Sequence, residues 1–182
     1  TIEGVGINPT RMGLLDVLRE MGANIREEEV AYKSAVACEP IGNMTGRASA
    51  SRGIEIKGDT GVRMIDEFPI LAVAATQAHG STIVHDASEL RVKETDRIAN
   101  IVSELRKMGA KIEPLPDGFI VEGPTPLKGA NVNSYGDHRL AMALAVAGLI
   151  AEQEVIIEDI ECINDSFPGF VQIMQKLGAD YE

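Results

Sequence analysis

The sequence predicts an α/β domain of repeated strand–helix units, with apolar helices buried inside and amphipathic helices outside. Three observations carry this. The segment LREMGANI at 18–25 returns as LRKMGAKI at 105–112, and more loosely as MQKLGADY at 174–181; similarity within one chain marks a repeat architecture. Two other stretches, EFPILAVAATQAHG from Glu67 and HRLAMALAVAGLIA from His138, are apolar almost all round, which marks a helix buried on every side. Glycine, at 18 of 182 residues, exceeds its usual share of roughly 7% and supplies the turns that such alternation needs.

In chain order, TIEGVGIN at 1–8 reads as the strand that elsewhere in the repeat follows an apolar helix. No such helix and no initiating Met precede it, so the expectation is a piece cut from a longer protein. An amphipathic helix follows over 9–21, with Met12, Leu15, Leu18 and Met21 on one face. Its repeat continues into Gly and a strand, since Gly takes a left-handed helix end without penalty. In the stretch 23–65, SAVACEP and IEIKGD read as strands, and GNMTGRASASRG at 42–53 reads as an exposed loop of small residues. The first apolar helix begins at Asp66 and is followed by the strand STIVHD at 81–86. A second amphipathic helix spans 95–108, aligning Ile98, Ile101, Val102 and Leu105. EPLPDGFIVEGPTPLKG at 113–129 reads as two strands joined at Asp117 and Gly118. The second apolar helix begins at Asp137, then comes the strand EVIIED at 154–159 and a third amphipathic helix near Phe167.

Composition excludes several classes. A net charge of −11 opposes nucleic-acid binding, which draws its affinity from Lys and Arg on phosphate. The longest apolar run, 140–150, falls short of the about 20 residues a bilayer requires, so no membrane is expected. Cys38 and Cys162 read as free thiols in a reducing cytoplasm. Three dispersed histidines, His79, His85 and His138, argue against a metal site, and no dinucleotide fingerprint calls for a cofactor.

Polar residues gather where helices begin: Asn8 and Arg11, Asp66, then Lys93, Glu94, Asp96 and Arg97, then Asp137, His138 and Arg139. Asp suits such an end, as a cap and as a match for the positive dipole. Lys and Arg oppose the dipole unless an anion lies between, when N–H groups, dipole and guanidinium all point at it. Converging ends would grip a multiply anionic small molecule, with Asp66 or Glu94 moving a proton beside it. Plainer readings stand next to this one. Asp66 and Asp137 could be only caps; Arg97 could pair with Glu94 or lie on a solvated face. Arg139 could pair with Asp137 or Asp66, Lys93 could be a surface lysine, and His138 a turn residue.

ELRVKETDRIANIVSELRKMGAKIE, YGDHRLAMALAVAGL and SFPGF, in that order and extended by GINPTRMGLLDVLREMGANI and MIDEFPILAVAA, resemble the EPSP synthase family, enolpyruvyl transferases of the shikimate pathway. The resemblance covers nearly the whole chain. It implies an inside-out α/β barrel of βαβαββ units, with this chain, 1–182, as most of the C-terminal domain of a two-domain cytoplasmic enzyme. It implies transfer of the enolpyruvyl group of phosphoenolpyruvate to the 5-hydroxyl of shikimate 3-phosphate, with release of phosphate and no cofactor. By the same resemblance Asp66 is the base on the 5-hydroxyl and Glu94 the acid/base at the phosphoenolpyruvate methylene. Lys93, Arg97 and Arg139 hold the carboxylate and phosphate of phosphoenolpyruvate. The partner it implies is the N-terminal domain, without which the chain is expected to be inactive. Two positions depart from some members: Asp165 stands where a lysine contact is found, and Glu89 where an Asn is found. The rivals are UDP-N-acetylglucosamine enolpyruvyl transferase, which differs at KETDR and DHR, and a non-catalytic repeat domain that binds an anion. A pure binder has no need of Asp66 beside Lys93 and Glu94.

Overall fold

The computed structural model describes residues 1–29, 39–93 and 95–182. Strand β1 (Ile2–Gly6) leads through a 3-10 turn (Pro9–Arg11) to helix α1 (Gly13–Glu20). Strands β2 (Asn24–Glu29), β3 (Ile41–Arg47) and β4 (Glu55–Ile56) follow, then helices α2 (Asp59–Val62) and α3 (Phe68–Thr76). Next come β5 (Gly80–Val84), a 3-10 turn (Ser88–Val92), α4 (Arg97–Lys107), β6 (Lys111–Leu115) and β7 (Gly118–Gly123). The last elements are β8 (Asn131–Asn133), α5 (His138–Gly148), β9 (Ile156–Glu158), α6 (Ile163–Ser166) and α7 (Phe170–Lys176).

The repeated segments close their helices identically. Gly22, Gly109 and Gly178 have φ of 102°, 87° and 103°. In each copy the Gly N–H and the next N–H bond back to carbonyls three and five residues earlier, a Schellman closure. The two close copies also share an arginine brace. Arg19 Nε donates to the Ile25 carbonyl and its Nη2 meets Glu27; Arg106 Nε donates to the Ile112 carbonyl and its Nη2 meets Glu113.

Among the described residues the strands form three sheets. The first has the order β1-β3-β2, all antiparallel. The second has the order β4-β5-β7-β6, with β4 parallel to β5 and the remaining pairs antiparallel. The third is the parallel pair β8-β9. The β6–β7 hairpin pairs Leu115 with Gly118 across Pro116 and Asp117, so the two expected strands form, with the turn one residue earlier than the Asp117–Gly118 position expected. The two apolar helices α3 and α5 pack on each other within the main core, with Phe68, Leu71, Ala72, Leu140 and Leu144 at 0–2% exposure. The amphipathic α4 presents Ile98, Ile101, Val102 and Leu105 to the same core.

Four local expectations need correction or restriction. Residues 42–53 are not all loop: Ile41–Arg47 is the central strand of the first sheet. Its polar, glycine-bearing sequence lacks strand propensity, but ladders on both sides supply its order. Gly42 admits the tight contact there, since a Cβ would lie 3.0 Å from the Glu28 carbonyl oxygen. IEIKGD yields only the two-residue β4. The 9–21 helix is broken at Met12 (φ −96°, ψ 7°) into a 3-10 turn and α1. Just beyond the break Gly13 abuts Arg63, whose carbonyl carbon would lie 2.7 Å from a Cβ. Of the strand expected in SAVACEP, 34–38 fall, like Glu94, outside the described residues, and Glu39 and Pro40 are not in a strand.

Candidate functional site

Asp137 shows how a helix start is adapted to hold a cation. Its Oδ1 accepts the N–H groups of Arg139 and Leu140 at 2.9 and 3.3 Å, capping α5. Its Oδ2 accepts from Arg97 Nε at 2.6 Å. Both groups are buried, Asp137 at 0% and Arg97 at 1% exposure. Such a pair offsets its desolvation only through short, well-aligned hydrogen bonds. The solvated-face reading of Arg97 is thereby excluded. Arg97 opens α4 behind the cap residue Asp96, whose Oδ1 accepts the Ala99 N–H.

Asp66 behaves differently. Helix α3 starts at Phe68 behind Glu67, and Asp66 does not cap it. The Asp66 carboxylate instead faces three guanidinium groups: Arg139 Nη2 at 2.9 Å, Arg97 Nη1 at 3.7 Å and Arg11 Nη2 at 3.9 Å. The turn before α1 and the beginnings of α3, α4 and α5 therefore meet at one carboxylate. Arg139 Nη1 also approaches His138 Nε2 at 2.5 Å, a contact that requires that ring nitrogen to accept.

A cavity of about 390 Å³ opens beside this cluster, lined by the polar Arg11, Asp66, Glu67, His138 and Arg139 and by the apolar Ile70, Met142, Val146 and Phe167. Burial raises the Glu67 carboxyl above its ordinary range, and the charge of Asp66 adds to this, while Arg11 and Arg139 act against it. Composition and spacing gave no sign of Glu67 as part of the site; only the fold turns it into the cavity. Arg11, a cation at a helix start, is brought by the fold to the same carboxylate.

Lys93 is not among these contacts. Its Nζ pairs with Glu89 Oε1 at 3.7 Å, one helical turn back, and it does not line the cavity. Glu94 lies outside the described residues. Among the described residues no group of three His, Cys, Asp or Glu could hold a metal ion, and no helix is long and apolar enough to cross a membrane. Cys162 is half-buried and, among the described residues, a free thiol. Burial raises its thiol pKa, and a contact from Ser134 partly offsets this.

The sequence profile of EPSP synthase (3-phosphoshikimate 1-carboxyvinyltransferase) matches residues 1–174. The chain belongs to the EPSP synthase family. The 3-phosphoshikimate 1-carboxyvinyltransferase of Desulforamulus reducens is 51% identical over 177 residues, which is 97% of this chain and 41% of that protein. The enzyme of the same name from Bacillus thuringiensis strain Al Hakam is 52% identical over 176 residues, 97% of this chain and 40% of that protein. The chain thus spans about 40% of the length of the EPSP synthases it matches. A solved EPSP synthase from Acinetobacter baumannii superposes with a TM-score of 0.89 at 37% identity, covering 96% of this chain and 40% of that one. The enolpyruvyl transferase NikO from Streptomyces tendae superposes at 0.71 with 23% identity, covering 98% and 38%, a likeness of fold. The α/β fold is therefore that of the enolpyruvyl transferases.

Proposed function

We propose that this chain is most of the C-terminal domain of a two-domain cytoplasmic enzyme. That enzyme transfers the enolpyruvyl group of phosphoenolpyruvate to the 5-hydroxyl of shikimate 3-phosphate and releases phosphate. The observation that carries the proposal is the meeting of Arg11, Arg97 and Arg139 at Asp66. Guanidinium groups at helix starts are suited to the carboxylate and phosphate of phosphoenolpyruvate. Arg139 retains N–H donors beyond those on Asp66 and His138, because a guanidinium carries five. A carboxylate among such cations is the feature a mere anion binder would avoid.

In this reading Asp66 takes the proton of the 5-hydroxyl, and Glu94 exchanges a proton with the methylene carbon of phosphoenolpyruvate. Arg97, Arg139 and Lys93 hold the acidic groups and neutralise the charge on the departing phosphate. Lys93 fills this role by releasing Glu89, an exposed partner that holds it weakly. The N-terminal domain supplies most of the contacts to shikimate 3-phosphate, which binds in the cleft between the two domains.

The inside-out barrel of three βαβαββ units belongs to the same proposal. Sheet order supports it. The order β1-β3-β2 equals the last three positions of β4-β5-β7-β6, and β8-β9 equals the first two.

The test is phosphate release from phosphoenolpyruvate and shikimate 3-phosphate by the full-length protein that contains this chain, beside the 182-residue chain alone. Release that requires both substrates, and occurs only with the full-length protein, is expected. No release by the full-length protein would overturn the assignment, and turnover by the chain alone would overturn the domain requirement.

A further inference from the structure

One face of α4 grips the Asn133–Asp137 turn at two points. At the first, Glu104 is fully buried at 0% exposure. It accepts from the Asn133 N–H at 2.9 Å, Tyr135 Oη at 2.9 Å, Ser103 Oγ at 3.0 Å and Lys107 Nζ at 2.7 Å. Burial alone would raise its pKa; Lys107, the Asn133 N–H, Tyr135 and Ser103 outweigh burial and hold the carboxyl below its ordinary range. At the second point, seven residues earlier on the same face, Arg97 donates to Asp137 at 2.6 Å.

Between the two anchors the backbone is left-handed at Tyr135 (φ 54°) and Gly136 (φ 72°). A non-glycine residue in that region is costly and persists only where its surroundings hold it. The surroundings here are the Tyr135 hydroxyl on Glu104 and the Tyr135 N–H on Asn133 Oδ1 at 2.6 Å. The next residues are Asp137, which caps α5, and Arg139, which faces Asp66.

We propose that Glu104 and Tyr135 are positioning residues: they clamp the turn that aims Asp137, and through it Arg97 and Arg139, at the anionic substrate. The proposal rests on the reading that this cleft binds phosphoenolpyruvate. The turn matters to both arginines because Asp137 caps α5 at the Arg139 N–H and pairs with Arg97 Nε.

The test uses Tyr135→Phe and Glu104→Gln in the full-length protein, with Ser103→Ala as a control that removes a Glu104 hydrogen bond without touching the turn. A variant that is merely less stable loses active molecules and so apparent kcat, while its KM stays put. The clamp instead predicts a KM for phosphoenolpyruvate raised at least about tenfold in Tyr135→Phe, the scale of one lost hydrogen bond to a charged group, with Ser103→Ala unchanged. Thermal stabilisation by excess inorganic phosphate gives a second readout that does not depend on turnover. It should be smaller in Tyr135→Phe than in the parent protein. If the parent shows no turnover, the functional reading fails, and the phosphate arm still decides the clamp. If Glu104→Gln does not fold, Tyr135→Phe carries the test. An unchanged KM with an unchanged phosphate shift overturns the proposal, as does a Ser103→Ala effect equal to that of Tyr135→Phe.

Discussion

Asp137 performs two tasks that one substitution separates. Asn caps a helix about as well as Asp, so Asp137→Asn keeps the start of α5 while removing the charge opposite buried Arg97. Breaking a buried pair from one side costs about 3–5 kcal/mol. Arg97 keeps Asp66 at 3.7 Å, so we expect a loss near the lower end, about 3 kcal/mol, by denaturant unfolding. A loss under about 1 kcal/mol would mean that capping, not the ion pair, is what matters. Glu67 gives a pH signature. Its carboxyl is raised by burial and by Asp66, so the folded protein binds that proton more tightly than the unfolded chain. The stability this brings is present at low pH and is lost as pH rises through the folded value. Glu67→Gln should therefore raise the melting temperature at pH 7 and leave it unchanged at pH 4; equal shifts at both would contradict this. The legibility of such residues differed for a physical reason. Arg139 was conspicuous because charge beside an apolar helix demands a partner, whereas Asp137 looked like an ordinary cap until the fold set buried Arg97 against it. Glu67 was silent because an acid before a helix is ordinary until the fold buries it, and nothing local distinguishes Lys93 on Glu89 from Lys93 on a substrate.

At the end of helix α3, strand β7 approaches through Gly123. A Cβ on Gly123 would lie 2.4 Å from the Ala78 carbonyl oxygen, 2.7 Å from that of Ala75 and 2.8 Å from that of Thr76. These are backbone atoms at the end of α3 and cannot swing away. Gly123→Ala should cost about 2–3 kcal/mol by chemical denaturation. Gly46→Ala, with nothing within 4 Å of the added Cβ, should stay within about 0.5 kcal/mol. Similar losses at both sites would show that backbone entropy, and not the close approach, sets the cost. The helices were readable in the sequence because burial leaves a periodic trace: α3 and α5 as unbroken apolar runs, α4 as a stripe. Strand β3 was not. Its residues carry no alternation, and its order comes from neighbours far along the chain.

Across the molecule, the repeat is what turns local signals into a site. Copies of one unit set helix starts side by side, so that cations tolerable singly become a cluster around Asp66. The repeat was legible as LREMGANI and LRKMGAKI, and the shared arginine brace and Schellman closures express it in three dimensions. The sequence could not say which charged side chains would point inward, because that follows from sheet order and helix packing. The chain spans about 40% of its relatives, so the decisive measurement belongs to the full-length protein. It compares Asp66→Ala with the parent for phosphoenolpyruvate and shikimate 3-phosphate binding by calorimetry and for turnover by phosphate release. The account predicts that both ligands still bind, while turnover falls by about 10²–10⁴-fold, the usual weight of a positioned proton-transfer group. Retained turnover, or loss of binding with kcat intact, would contradict it.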